Sequence, residues 1–203
     1  MISIITGDII NSRKLPSVTW IEGLKQLLNT LGKNPSEWEI YRGDEFQLEV
    51  KNPSEALHHA FLIKSYLKSI KLDARISIGF GEKSYSASKI SESNGSAFIR
   101  SGELFDTLKK QKNNLAVNTG NPDFDKEMNL MLRLGLTFMD QWLAQSAEFV
   151  LTTLKNPTLS QEEIGLLLNI NQAAVSRRRT RAKFDLVLEL ESYFRKKIKT
   201  IEV

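Results

Sequence analysis

Several short stretches in the first 120 residues alternate between apolar and polar side chains, and a period of two is typical of half-buried β-strands. Residues 38–50 show this pattern most clearly, because the alternating positions flank a Gly43-Asp44 pair of the kind that forms tight turns. We therefore predict a β-hairpin there. Further strands are predicted at residues 2–10, 72–81 and 115–118.

Between these strands, apolar residues recur at spacings of three and four, which predicts amphipathic helices. The helices are predicted at residues 16–31, 54–70 and 97–110. The resulting order is strand, helix, hairpin, helix, strand, helix, strand. This order is typical of a ferredoxin-like or palm domain with an antiparallel sheet and helices on one face. We expect an α+β fold in which residues 1–120 form the palm domain.

The remaining chain is predicted to be helical. Asn121-Pro122 has the sequence of a helix start, and apolar residues recur at helical spacing to about Lys155, with a kink allowed at Gly135. We predict one long helix over residues 121–155 that links two domains and offers a dimer contact. The alternative is that its apolar face packs only within its own chain.

Residues 156–203 predict an all-α helix-turn-helix domain. Ser160 and Glu163 have the spacing of a capping box at the start of a helix. A tight turn at residues 169–171 precedes a second helix that begins at Gln172. The buried residues of this unit are expected to be Ile164, Leu167, Leu168, Ile170 and Val175.

Basic side chains are concentrated near the C-terminus. Residues 1–155 carry 19 basic and 18 acidic side chains, whereas residues 156–203 carry nine and six, within a total net charge of +4. Such a local cluster indicates a polyanion partner, and the second helix is expected to enter the major groove of DNA. The base-reading residues are predicted to be Gln172, Ala173, Ser176, Arg177 and Arg179. The phosphate contacts are predicted to be Arg178, Arg181 and Lys183. Two alternatives stay open: the basic helix only packs on the palm, or the motif binds a protein.

Acidic residues lie at two points of the predicted sheet. Asp8 is the only charged residue in the first twelve, at the expected end of the first strand, and Asp44 and Glu45 lie together at the tip of the hairpin. If these strands are neighbours, Asp8 and Asp44 meet at one edge of the sheet. Mg²⁺ prefers such oxygen ligands and keeps waters that phosphates can replace, so the three acids are predicted metal ligands. The predicted phosphate cradle consists of Ile9, Ile10, Asn11 and Ser12, with Arg13 nearby. A plain connecting loop is the alternative.

The hairpin sequence Tyr-Arg-Gly-Asp-Glu-Phe at residues 41–46 resembles the Y-G-G-D-E-F signature of diguanylate cyclases. Residues 7–13 are similar to the metal-binding first strand of class III nucleotide cyclases and palm domains, and residues 75–81 resemble a later strand of that group. Together with the C-terminal segment, nearly the whole chain resembles the SatD family, which joins a cyclase-like palm to a helix-turn-helix. The resemblance implies a GGDEF-like palm that binds Mg²⁺ and a nucleotide, with Arg42 and Gly43 beside the nucleotide.

The catalytic part of the resemblance is less complete. Arg42 stands in place of the first glycine of the signature and is expected to fill the space that this glycine leaves for the nucleotide. The Asn and Arg that stabilise the transition state in class III cyclases have only Asn94 and Arg100 as counterparts, at a different spacing.

We therefore predict a DNA-binding transcriptional regulator, acting as a homodimer, with a palm that senses a Mg²⁺-bound nucleotide. One alternative is a Mg²⁺-dependent nucleotidyl cyclase or another phosphoryl-transfer enzyme. The other is a structural palm that only dimerises the DNA-binding segment.

Composition excludes several classes of protein and of metal site. The chain has no cysteine, which excludes disulfides and thiolate metal sites. No apolar run approaches the roughly 20 residues of a membrane helix, and the first residues lack the basic segment of a signal peptide. We expect a cytoplasmic protein without a membrane partner.

Overall fold

A computed structural model describes residues 1–201. This part of the chain forms an α+β fold with a five-stranded mixed sheet and eight α-helices. The strands are β1 (Ile2–Ile10), β2 (Trp38–Tyr41), β3 (Glu45–Val50), β4 (Asp73–Gly81) and β5 (Leu115–Asn118). The helices are α1 (Ser17–Leu31), α2 (Ala56–Ser69), α3 (Ser96–Gln111), α4 (Pro122–Met139), α5 (Ala144–Lys155), α6 (Gln161–Leu167), α7 (Gln172–Ala182) and α8 (Phe184–Lys197).

The sheet has the strand order β2-β3-β1-β4-β5. The pairs β2–β3, β3–β1 and β1–β4 are antiparallel, as the sequence predicts, but β5 runs parallel to β4. The expectation of a fully antiparallel sheet is therefore wrong at this edge. The reason is that α3 crosses over between β4 and β5, and a helical crossover returns the chain in the same direction.

The two faces of the sheet are both covered by helices, so the expectation of helices on one face is also wrong. On the face opposite α1 and α2, α3 packs closely against β1 and β4. The hydroxyl oxygens of Thr6 and Ser101 are 3.0 Å apart, and Ser77 Oγ donates to the Ser101 carbonyl at 2.8 Å. A Cβ on Gly79 would lie 2.3 Å from the backbone of Ala97 and Ser101. Small residues therefore allow α3 to sit directly on the strands.

The main hydrophobic core is continuous from the sheet to the C-terminal helices. The ring of Phe80 on β4 lies 5.9 Å from that of Phe194 on α8, measured between centroids. Phe149 on α5 and Phe184 on α8 meet edge-on at 5.3 Å. The apolar faces of α4 and α5 also belong to this core. Of the helices after residue 121, α4 and α8 thus contact the sheet itself, whereas α5 packs on α2, and α7 packs on α5.

The predicted long helix over residues 121–155 is two helices, because the chain breaks between α4 and α5. The break has tertiary causes. Lys64 on α2 forms an ion pair with Asp140 at 2.6 Å, and the Trp142 indole donates to the Ala182 carbonyl at 3.0 Å. Gly135 does not interrupt α4. A Cβ there would lie 3.0 Å from the flexible end of Met139 on the same helix and at an ordinary contact distance of 3.4 Å from Leu190 on α8.

The predicted capping box at Ser160 and Glu163 begins α6, and Val175 on α7 is buried as expected. Gly165 lies where α6 and α7 cross, because a Cβ would be 2.7 Å from the Ile170 carbonyl and 3.4 Å from Val175. Leu167 is 58% exposed, so its expected burial is wrong. Within residues 1–201, no helix has the length and apolar character needed to cross a bilayer.

Candidate functional site

Asp8 lies in the middle strand of the sheet, opposite Glu45 on β3 and opposite Arg75 on β4. The strand extends past Asp8 over residues 2–10 as predicted, so Ile9 and Ile10 pair with β4 and do not belong to a turn that would cradle phosphate. Side chains directly opposite each other in antiparallel strands are neighbours. The register therefore brings two acids and one arginine together on the α3 side of the sheet.

Each acidic side chain at this site has a partner. Arg75 Nη1 lies 3.1 Å from an Asp8 carboxylate oxygen, and Lys109 on α3 lies 3.0 Å from Glu45. Ser12 Oγ donates to an Asp44 carboxylate oxygen at 2.6 Å. The three predicted metal ligands thus lie at one end of the sheet, where Arg75, Lys109 and Ser12 make their closest polar contacts.

The Asp8 carboxyl has a pKa above its ordinary value of 3.8. Burial is the largest cause. Arg75 and then Lys109 oppose it by favouring the charged form, while the nearby Asp44 and Glu45 raise the pKa further. The raised pKa shows that the cations around Asp8 do not fully offset the effects of burial and of the neighbouring acids.

A cavity of about 460 Å³ opens beside Asp8 and is lined by the connection that follows β1. Asn11 adopts a left-handed backbone with φ of 64°, a conformation that asparagine tolerates, and Ser12–Lys14 then form a short 3-10 turn. The Ile9 N–H donates to the Asp44 carbonyl at 3.1 Å, so it is not free for a phosphate. The lining residues are Asp8, Ile9, Ile10, Asn11, Ser12, Arg13, Lys14, Asp44 and Arg75.

A second cavity of about 320 Å³ lies on the other side of Ser12, Arg13 and Asp44, which line both cavities. Arg42 and Gly43 border it at the hairpin tip, with φ of 51° and 90°. The Arg42 side chain is 80% exposed and lies 3.8 Å from Glu45. Arg42 therefore borders this cavity with a side chain that is largely in solvent, and its place relative to a nucleotide stays a prediction.

The donor chemistry of this site fits a divalent cation. Mg²⁺ is commonly held by one or two carboxylates and completes its coordination with water and substrate phosphates. Asp8 and Asp44 would supply the carboxylates, and a cation there would oppose burial and the neighbouring acids, which together raise the Asp8 pKa. Within residues 1–201, no three His, Cys, Asp or Glu side chains form a ready-made metal-binding group.

The two residues considered for transition-state stabilisation have structural partners. Arg100 Nη1 donates to the Phe80 carbonyl at 2.6 Å, and the backbone of Asn94 pairs with that of Tyr85. The first interaction ties α3 to the end of β4, and the second pairs two positions of the connection between β4 and α3.

The predicted DNA-binding residues lie on α7 or immediately after it. One continuous face of α7 is exposed, while Val175 and Ala182 are buried on the opposite face. The exposed face consists of Gln172, Ala173, Ser176, Arg177, Thr180 and Arg181. Neither Arg177 nor Arg181 forms an ion pair within residues 1–201. Lys183 follows as an exposed residue with φ of 52° between α7 and α8.

Arg178 and Arg179 differ from the other basic residues of this segment. Arg178 Nη1 lies 2.7 Å from Glu148 on α5, and Arg179 Nη2 lies 2.5 Å from Asp185 on α8. The Arg179 guanidinium also lies 5.5 Å from the centre of the Phe184 ring. The structure thus engages both arginines in contacts that fix α7 to its neighbours.

Sequence reasoning missed Arg75 and Lys109 as members of the acidic site. In the sequence Arg75 stands out only as the first residue of a strand motif, and its pairing depends on the β1–β4 register. Lys109 lies on α3, whose covering of this face was not predicted. The only signal in the sequence for these basic partners is the charge of Asp8 and Glu45, because buried acids require nearby partners.

Comparison with models of known protein families, with curated protein sequences and with solved structures gave no match.

Proposed function

We propose that this chain is a DNA-binding transcriptional regulator whose palm-like sheet binds a Mg²⁺-bound nucleotide, as its resemblance to the SatD family implies. The observation that carries the proposal is the exposed face of α7, which presents Gln172, Arg177 and Arg181 without intramolecular ion pairs among residues 1–201. An unneutralised basic and amide-bearing helix face is the chemistry that reads base edges and binds phosphates.

The packing around α7 supports a helix-turn-helix. Four residues separate α6 from α7, and Gly165 allows the two helices to cross closely. Asn171 caps α7 by accepting from the Ala174 N–H at 2.9 Å, which fixes where the helix begins. The N-terminal residues of the second helix are those that contact base edges in this motif. Gln172, Ala173 and Ser176 occupy that position here.

Two adjoining cavities support nucleotide binding at the other end of the molecule. The cavity beside Asp8 has carboxylates for Mg²⁺ and Arg13 and Lys14 for phosphates, and the second cavity shares Ser12, Arg13 and Asp44 with it. A phosphate chain bound to the metal in the first cavity would leave room for the rest of the nucleotide in the second.

A physical connection between the two sites runs through β4. Arg75 on this strand contacts Asp8, and Phe80 on the same strand packs on Phe194 of α8, the helix that follows α7. A ligand that changes the Arg75–Asp8 pair acts on a strand already in contact with the C-terminal helices. Regulation additionally requires that the ligand bind two conformations with different affinities.

The DNA-binding part is tested by selecting duplexes from a random-sequence pool with the purified chain and measuring the recovered duplex by fluorescence anisotropy. We expect Arg177→Ala to weaken binding of the selected duplex by about 1–3 kcal/mol and Arg181→Ala to reduce the salt-dependence slope by about 1. Lys110→Ala, which removes an exposed charge from α3, is the matched control. Failure to enrich any sequence, or an equal loss in the control, would contradict the proposal.

The nucleotide part is tested by thermal unfolding with Mg²⁺ and a panel of nucleoside triphosphates and cyclic nucleotides. A ligand at 100 times its dissociation constant adds about 2.7 kcal/mol to the folded state. We expect this gain with one nucleotide, its loss in Asp8→Ala and its retention in Asp106→Ala, which removes an exposed acid of α3. If no nucleotide shifts the unfolding temperature, the palm is a structural unit. If DNA affinity is unchanged at saturating nucleotide, the sensing role fails.

Phosphoryl transfer is the second candidate, because Asp8 and Asp44, the two acids that would hold Mg²⁺, both line the cavity beside the hairpin tip. Turnover of ATP or GTP that is lost in both Asp8→Ala and Asp44→Ala would establish it. Binding without turnover would support the sensor.

A further inference from the structure

Trp20, near the start of α1, is almost completely buried but has a hydrogen-bond donor without an acceptor. The residue is 2% exposed, and its indole Nε1–H meets no acceptor in the described part of the chain. The other two indoles are paired. Trp38 donates to the Gly32 carbonyl at 3.2 Å. Trp142 donates to the Ala182 carbonyl at 3.0 Å. A buried indole N–H usually has a partner, and leaving one unpaired is unfavourable, so the missing acceptor points to a ligand.

Trp20 lines the second cavity, the one of about 320 Å³ at the hairpin tip. The helix that carries it is held from the other side, because the Tyr66 hydroxyl on α2 donates to the Trp20 carbonyl at 2.9 Å. Gly23 makes room for this hydroxyl, since a Cβ there would lie 2.1 Å from it. The backbone that carries the indole is therefore fixed beside the cavity before any ligand binds.

Another donor without an acceptor belongs to the adjoining cavity beside Asp8. The Arg75 Nε–H is buried and unpaired in the described part of the chain, and Arg75 lines that cavity. The third buried unpaired atom among these residues, His59 Nδ1, belongs to a residue that lines neither cavity. The two cavities share three lining residues, Ser12, Arg13 and Asp44. One ligand that spans both cavities, with an acceptor at each end, would satisfy both donors.

The second cavity suits a flat heteroaromatic ring better than a second phosphate. Leu15 and Trp20 give it apolar walls, and Asp44 adds a carboxylate that repels an anion. Arg13 and Arg42 also border the cavity, but both are exposed to solvent. A nucleobase has apolar faces that pack on aromatic side chains, and its edge carries ring-nitrogen or carbonyl acceptors.

We propose that Trp20 recognises the base of the bound nucleotide, with its indole N–H donating to a ring nitrogen or carbonyl oxygen of the base in the second cavity. This inference rests on the proposed nucleotide site and adds the group that holds the end of the ligand farthest from the metal. The unpaired N–H is unfavourable in the free protein, and the base removes this penalty when it binds.

The test compares two ligands in Trp20→Phe, which keeps an aromatic ring but removes the N–H. One ligand is the nucleoside triphosphate that stabilises the wild type most, and the other is inorganic triphosphate, which has no base. Both are titrated calorimetrically in the presence of Mg²⁺. We expect Trp20→Phe to weaken binding of the nucleoside triphosphate by about tenfold and to leave binding of inorganic triphosphate unchanged.

Trp38→Phe is the matched control, because Trp38 is also a buried tryptophan but lines neither cavity. It is expected to bind both ligands as the wild type does, and circular dichroism checks that both variants are folded. Unchanged binding of the nucleoside triphosphate in Trp20→Phe, or an equal loss for both ligands, would overturn the proposal. A wild type that binds neither ligand would refute the nucleotide site itself, and this inference with it.

Discussion

Lys64 on α2 lies 2.6 Å from a carboxylate oxygen of Asp140, although 76 residues separate the two in sequence. The Lys64 side chain is fully buried, and its ammonium also lies 2.8 Å from Asp73 at the start of β4. Asn114 Nδ2 donates to the other Asp140 oxygen at 2.9 Å. These polar contacts join α2, β4 and the end of α4, and they are the reason that α4 ends where it does.

Replacing the lysine should be strongly destabilising. Lys64→Met leaves Asp73 and Asp140 without their shared cation, and breaking a buried ion pair by removing one partner commonly costs several kcal/mol. We expect the free energy of unfolding in urea to fall by about 3 kcal/mol. Lys25→Met is the control, because Lys25 pairs with Glu22 on the surface and such pairs contribute at most about 1 kcal/mol. Equal losses in the two variants would show that the buried network adds nothing.

Two glycines associated with α3 should respond in opposite directions to the same substitution. A Cβ on Gly79 would lie 2.3 Å from backbone atoms of α3, which cannot move aside without shifting the helix, whereas a Cβ on Gly102 meets no atom within 4 Å. We expect Gly79→Ala to destabilise the fold by more than about 2 kcal/mol. Gly102→Ala should stabilise it by about 0.5–1 kcal/mol, since alanine is the better helix former. Chemical denaturation of both variants measures the difference, and a tolerated Gly79→Ala would refute the close packing of α3.

Histidine burial on α2 should make stability depend on pH. Burial, followed by the neighbouring His58, lowers the pKa of His59 from 6.5 to about 4. The unfolded chain therefore binds a proton at a higher pH than the folded chain does. Above pH 6.5 His59 is neutral in both states and does not change the free energy of unfolding. As the pH falls from 6.5 towards 4, the free energy of unfolding decreases by up to about 3 kcal/mol, because only the unfolded chain takes up the proton.

The His59→Gln variant should lose less stability than the wild type over this interval. An NMR titration of the imidazole measures the pKa directly. A value near 6.5 would contradict the predicted burial.

Asp8 should destabilise the metal-free fold when it is ionised. Its pKa is raised in the folded state, chiefly by burial, so folding favours the protonated carboxyl. Relative to Asp8→Asn, the wild type should lose stability as the pH rises from below 3.8 through the raised pKa. Unfolding in the presence of a chelator checks this. With Mg²⁺ and a bound nucleotide at neutral pH, the wild type should become more stable than Asp8→Asn, because the cation requires the carboxylate. If Asp8→Asn stays the more stable of the two, Asp8 is not a ligand.

The order of elements in the sheet region could be predicted because each element carries its own periodic pattern. The break between α4 and α5 could not, since residues 140–143 contain neither proline nor glycine and the break depends on Lys64 and on the Trp142–Ala182 hydrogen bond. The exposure of Leu167 could not be predicted for the same reason, because it depends on tertiary packing, namely on how α6 is rotated against its neighbours.

Only the acidic residues of the candidate site could be predicted from the sequence. Asp8, Asp44 and Glu45 stand out as charges in or beside apolar strands, and the structure places them at one end of the sheet. Their partners Arg75 and Lys109 follow from strand register and from α3 covering the second face, neither of which a local pattern encodes. On α7 the sequence cannot distinguish the arginines that face solvent from Arg178 and Arg179, because all lie within one basic run.

The hydrogen bond from the Trp142 indole to the Ala182 carbonyl gives the molecule an optical probe at the end of α7. The Trp142 side chain is 6% exposed, so its fluorescence reflects an apolar environment. Any displacement of α7 that lengthens this bond admits water to the indole and moves its emission to longer wavelength. Because Trp20 and Trp38 are also buried and also emit, a variant that keeps only Trp142 can therefore report movement of the basic helix without an attached dye.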